Sequence, residues 1–168
     1  AIPCKRTTKP VLSFMNREEV MAVLAAIDTT TNVGRRDHLF FSLLYQTGAR
    51  VSEASQLCPR DVQDRFVRLH GKGRKERAVP IPKDLMTRLH EQVKTNKVPP
   101  DRPIFANRKG AALTREGIAL RLDLAVRKAE QTCPSLQGRR ITPHTWRHTT
   151  AMHLLQAGVP LEVIALWR

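Results

Sequence analysis

Apolar residues recur with a helical period at Val20, Val23, Leu24 and Ile27, directly after Asn16 and Glu19, whose three-residue separation has the form of a capping box. A helix is expected there. The next stretch, HLFFSLLYQ from His38 to Gln46, is apolar on nearly every face, which predicts a buried helix stopped by a left-handed Gly48. A short helix is expected to resume near Arg50. After Pro59 the period changes: RFVRLH, from Arg65 to His70, alternates basic with apolar, and ERAVPIP, from Glu76 to Pro82, follows across the glycine-flanked turn GKGRK. This is the pattern of a β-hairpin, whose second strand Pro80 and Pro82 confine to an edge or to its end. Lys83 to Val98 and Thr114 to Cys133 read as amphipathic helices divided by the loop VPPDRPIF, and Thr142, Pro143 and Gly158 mark the cap, first turn and stop of another helix.

That last helix carries an informative stripe. At about 100° per residue, His144, Arg147 and His148 fall within one arc, and Ala151 and Leu155 continue it. The expectation is a mostly buried helix whose first turns emerge at a cleft floor, where cationic groups and free backbone N–H groups attract anions. No internal repeat or low-complexity segment divides the 168 residues, so one domain, 1–168, is expected.

Composition narrows the partner. Twenty-nine Lys and Arg against fifteen Asp and Glu leave a net charge of +14, and 41% hydrophobic residues place that charge on a folded surface rather than a disordered tail. No apolar run approaches the roughly 18 residues of a membrane span, and AIPCKRTTKP lacks a hydrophobic signal core, so no membrane partner and a cytoplasmic, nucleoid-associated location are expected. Cys4, Cys58 and Cys133 are odd in number and lack Cys-x-x-Cys spacing, which predicts free thiols rather than a disulfide framework or a zinc site.

Candidate chemistry falls into three groups. Arg65, Arg68, Lys72, Arg74, Lys75 and Arg77 crowd the hairpin with Glu76 as the acid among them, which fits either a polyanion-binding turn or a solvated basic one. Arg50 precedes Glu53 by three residues, which fits either a phosphate ligand or a structural ion pair. His144 and Arg147 share a helix face at a helix start, where arginine can bind phosphate oxygens in bidentate fashion. His144 and His148 have metal-ligand spacing, but HTWRH lacks the glutamate of HExxH, so no metal is assigned. Two arginines, a lysine and a histidine around one phosphate would supply charge stabilisation, orientation and a proton donor for phosphoryl transfer. The sequence shows no GxSxG elbow, Walker A loop or clustered carboxylates, which argues against esterase, nucleotidase and metal-nuclease chemistry.

The ordered set YQTGARVSEASQL, HGKGRKERAVPIP and TPHTWRHTTAMHLLQAGVPLEVIALW resembles the catalytic domain of tyrosine recombinases, the phage integrase family, from about Asn16 to Trp167. The resemblance implies a mainly α fold with a small antiparallel β-sheet. It implies cleavage of one strand of double-stranded DNA through a 3′-phosphotyrosyl link, followed by rejoining to another strand, as in integration or transposition by mobile elements. No cofactor is implied, because the covalent link retains the energy of the phosphodiester. By the same resemblance Arg50 and Arg147 clamp the scissile phosphate, Lys72 protonates the departing 5′-oxygen, His144 is a proton-transfer or hydrogen-bonding group for the tyrosine and phosphate, and Glu53 supports Arg50. Arg74, Lys75, Arg77 and His148 are assigned to DNA binding.

Family members continue past the Trp167 region with a Leu-Gly-His element and then the nucleophilic tyrosine. Here Arg168 stands where a leucine is usual, and the sole tyrosine, Tyr45, falls in the apolar stretch before Arg50 and is expected in the core. The expectation is therefore a recombinase catalytic domain without its nucleophile segment or N-terminal DNA-clamping domain, incapable of strand cleavage alone. An exposed apolar C-terminal groove is expected to favour self-association. The alternative reading is a non-catalytic DNA-binding remnant occupying recombination sites; RNA binding is more remote, because the eight aromatics lie mostly in apolar runs.

Overall fold

The computed structural model describes residues 14–165. Cys4, Trp167 and Arg168 lie outside the described residues. Helix α1 (Arg17–Ala25) opens with the reciprocal cap anticipated above: Asn16 Oδ1 accepts from the Glu19 N–H at 2.8 Å, and Glu19 Oε1 accepts from the Asn16 N–H at 2.9 Å. Helix α2 (Asn32–Thr47) starts earlier than the apolar run, because the Thr31 hydroxyl caps the Gly34 N–H. Leu39, Phe40, Phe41, Leu43 and Leu44 are all buried, and α2 packs against α1, the short α3 (Val51–Ser55) and two later helices. Gly48 ends α2 at φ 66°, a left-handed conformation that lets the chain turn sharply into α3.

Strands β1 (Phe66–His70) and β2 (Glu76–Pro80) pair antiparallel, with Val67 opposite Val79 and Leu69 opposite Arg77. Val67, Leu69 and Val79 face the core while Arg68 and His70 face out, which is the alternation that selected the register. Between the strands Lys72–Arg74 form a single 3-10 turn, with Gly73 at φ 69° and Arg74 at φ 62°. Helices α4 (Lys83–Asn96), α5 (Arg115–Ala129), α6 (Pro143–Gln156) and α7 (Leu161–Ala165) follow. The fold is thus mostly helical with one two-stranded antiparallel sheet. None of its described helices is long and apolar enough to cross a membrane.

The structure corrects one feature of α6. Its cap and first turn are as expected, with Thr142 Oγ1 accepting from the Thr145 N–H, but Leu155 is 40% exposed and Ala151 is half-buried. The inward face is instead Trp146, Thr149, Thr150 and His153. These polar groups tolerate burial because each is satisfied: Thr149 Oγ1 donates to Thr145 O and accepts from the Met15 N–H, and His153 sits between Tyr45 Oη at 2.6 Å and Met15 O at 2.8 Å. Tyr45 also lies edge-on to Trp146, whose indole N–H donates to Phe41 O at 3.1 Å. The tyrosine is therefore packed against the core as expected, and burial raises its phenol above the ordinary value, only partly offset by the charge of Arg17.

Buried acids tie the helices together. Asp37 on α2 receives Arg121 of α5 at 2.5 Å and its neighbour Arg36 at 2.8 Å. Glu19 on α1 receives Arg139 and, at 3.1 Å, the Ser135 hydroxyl, both from the segment leading into α6. Cys58, buried, and Cys133, half-buried, are free thiols.

Candidate active site

The turn at the end of α2 is the base of the site. The Thr47 hydroxyl donates to Leu43 O at 2.7 Å and accepts from the Ala49 N–H at 3.2 Å, which holds the chain rigid through Gly48 and delivers Arg50 as the cap of α3. Across from it, the first turns of α6 present His144 and Arg147. Arg147 Nε donates to Gly48 O at 3.0 Å, so the guanidinium is tethered to the same turn that carries Arg50. The hairpin supplies the third side: Lys72 follows Gly71, whose N–H donates to Lys75 O at 2.7 Å and closes the turn.

These elements enclose an open cleft of about 790 Å³ lined by Arg50, Lys72, His144 and Arg147 together, and by the buried Glu53. Four residues spread over nearly a hundred positions of sequence thus share one concave surface. Lys72 and His144 are exposed, whereas Arg50 and Arg147 are half-buried, as befits side chains on a floor rather than a rim. The cleft walls also carry apolar Ala49, Val51, Ala119 and Pro143. A basic floor between apolar walls accepts an anionic group attached to less polar moieties.

Glu53 meets Arg50 through the backbone rather than through the guanidinium. Its Oε1 accepts from the backbone N–H of Arg50 at 2.9 Å and pairs with Arg77 Nη2 of β2 at 3.1 Å. The carboxylate therefore fixes the start of α3 and bolts it to the hairpin, while Arg50 lines the cleft. Arg77, proposed from sequence as a DNA contact, is engaged in this pair and does not line the cleft. Arg74 and Lys75 are exposed on the hairpin turn, also outside the cleft lining, and His148 is half-buried with its ring edge-on to Phe14, centroids 6.2 Å apart.

Sequence reasoning missed Gln56, His70 and Arg115, all of which line the cleft. His70 could have been noticed as the residue before the hairpin glycine; its Nε2 lies 2.8 Å from Asp61 Oδ1 and its Nδ1 3.3 Å from Glu76 Oε1. Arg115 follows the readable cap Thr114, yet nothing local says which way the start of α5 faces. No cluster of three or more His, Cys, Asp or Glu residues able to hold a metal occurs among the described residues.

The sequence pattern of the phage integrase family matches residues 13–166. The chain belongs to that family. An integrase/recombinase of Sinorhizobium fredii, y4rC, is 42% identical over 170 residues, covering 99% of this chain and 51% of the relative. Tyrosine recombinase XerD of Staphylococcus epidermidis is 37% identical over 163 residues, covering 93% of this chain and 53% of the relative. The chain therefore spans about half the length of these phage integrase relatives. Among solved structures, the XerH site-specific recombinase bound to a palindromic difH substrate, a post-cleavage complex, superimposes with a TM-score of 0.78 at 25% identity, covering 96% of this chain and 47% of that one. The fold is that of a tyrosine recombinase catalytic domain.

Proposed function

We propose that residues 14–165 act as one catalytic unit that grips double-stranded DNA and handles a single phosphodiester in the cleft. The observation that carries this reading is the convergence of Arg50, Lys72, His144 and Arg147 on one concave surface, and the likeness to a recombinase bound to its DNA substrate supports it. Arg50 and Arg147 hold the two non-bridging oxygens and neutralise the charge that develops on them in the transition state. A tyrosyl oxygen attacks phosphorus, His144 accepts its proton, the bond from phosphorus to the 5′-oxygen breaks, and Lys72 gives that oxygen a proton. The new phosphotyrosyl ester keeps the energy of the old bond, so the reverse attack by a 5′-hydroxyl rejoins DNA without a cofactor. Tyr45 does not line the cleft and its hydroxyl is bonded to His153, so it is not the attacking group. A tyrosine from outside these 168 residues must supply it.

Arg74, Lys75, Arg77 and His148 extend the basic surface toward the flanking duplex, with Arg77 also holding Glu53 in place. Exposed Leu155, Leu161 and Val163 near the end of the described residues support docking of a helix from a second copy during assembly on DNA. Size-exclusion chromatography with and without duplex DNA tests that part, and a strict monomer in both would remove it. For the cleft, a tyrosine-bearing segment from a family member is joined to this chain and incubated with a nicked duplex. A detergent-resistant protein–DNA adduct, lost in Arg147→Ala, is expected; tight DNA binding without any adduct would favour a binding module over an enzyme.

A further inference from the structure

Arg115 lines the cleft, and the proposed reaction leaves it without a task. It occupies the first helical position of α5, so it approaches the cleft from an element unrelated to those bearing Arg50, Lys72 and Arg147. Its side chain is exposed and makes no hydrogen bond or ion pair with the described residues, in contrast to Arg121 and Arg127 further along α5, which bond Asp37 and Asp123. The neighbouring Glu116 does not line the cleft, whereas Ala119, one turn on, does. The α5 wall therefore offers a cation and, beside it, a small methyl surface, the pair of features that a sugar-phosphate backbone requires.

The cleft is too large for one phosphate. At about 790 Å³ it lies in the upper part of the range, roughly 300–1,000 Å³, of pockets that enclose whole drug-sized ligands. We infer that Arg115 binds the phosphate adjacent to the one held by Arg50 and Arg147, so that the DNA strand crosses the cleft from the hairpin to α5 with its intervening sugar against Ala119. This rests on the phosphodiester reading of the cleft. Arg115 is a positioning residue: it fixes the register of the strand rather than touching the reacting bond, and an exposed guanidinium with no internal partner can do so without cost to the fold.

The test uses two small probes, the dinucleoside TpT with one phosphodiester and the trinucleoside TpTpT with two, titrated into the isotope-labelled full chain by NMR. The wild type should bind TpTpT more tightly than TpT, by about three- to tenfold. Arg115→Ala should abolish that gain while leaving TpT binding intact, Arg115→Lys should keep part of it, and Ala119→Glu should remove it by repulsion. On duplex DNA, Arg115→Ala should lower the slope of log affinity against log salt by about one. Equal binding of the two probes by the wild type, or a preference unchanged by Arg115→Ala, would overturn the assignment of Arg115 while Arg50→Ala still weakens TpT. If Arg50→Ala and Arg147→Ala also leave TpT binding unchanged, the phosphodiester reading itself falls.

Discussion

Arg121 and Arg139 end on carboxylates buried in the fold, Asp37 and Glu19, and Arg77 ends on buried Glu53. Lys72, Arg115 and Arg50, by contrast, line a cleft and form no ion pair with the described residues. The first group satisfies charges that folding has taken out of water, and no buried side-chain polar atom is left without a partner among the described residues. The second group stays uncompensated, so its positive potential is available to a ligand. A chain of net charge +14 thus uses arginine in two ways, and the side chain alone does not tell which. The difference lies in whether an acid was placed opposite.

Substitutions should separate the two groups. The largest effect is expected for Asp37→Ala, which leaves Arg36 and Arg121 without their shared buried carboxylate and should cost about 3 kcal/mol in urea unfolding; a loss below about 1 kcal/mol would mean that the interior pairs are no firmer than surface ones. Arg50→Ala should behave oppositely, weakening duplex DNA binding by about tenfold, near 1.4 kcal/mol, with an unchanged unfolding midpoint. An unfolding loss comparable to that of Asp37→Ala would break the distinction.

Acid titration gives a third, smaller effect. Burial alone would raise the Glu19 carboxyl, but hydrogen bonds from the Asn16 N–H, Arg139 and Ser135, with the charge of Arg139, bring it below its usual value of 4.5. Its stabilisation is therefore present above the usual carboxylate range and is lost as pH falls through the depressed folded value. His38 is lowered from 6.5, first by burial and then by the Arg88 guanidinium, whose Nη2 donates to His38 Nδ1 at 2.6 Å. The unfolded chain binds that proton first, so stability declines as pH drops below about 6.5. Glu19→Gln should flatten the pH dependence around and below pH 4.5, and His38→Gln the part below pH 6.5, in unfolding free energies measured from pH 8 to 3. If neither variant alters its own window, the linkage is absent. The smallest effect belongs to Lys75→Ala on the exposed hairpin turn, which should lower the salt slope of DNA binding by about one with little change in stability; an unchanged slope would remove the turn from the interface.

Local signals carried much of the fold. The reciprocal cap of Asn16 and Glu19, the left-handed stop at Gly48 and the alternation of the hairpin each depend on residues a few positions apart, and each stands in the structure. The inward face of α6 was not legible, since Thr149, Thr150 and His153 look polar until Met15 and Tyr45 arrive to bond two of them from distant segments. The same limit hid the partner of Glu53: spacing of three along the chain pointed to the Arg50 guanidinium, while strand pairing brought Arg77 to it instead.

The sequence by itself determined the type and order of most helices and both strands, that the chain is basic, and which residue types could engage a phosphate, because capping, periodicity and charge act over single turns. Only the tertiary structure decided that Arg50, Lys72, His144 and Arg147 meet, that Arg115 joins them, and which arginines are consumed by buried acids. Those outcomes depend on helices from remote parts of the chain packing around α2, and burial of apolar surface sets that packing without regard to the charges it brings together.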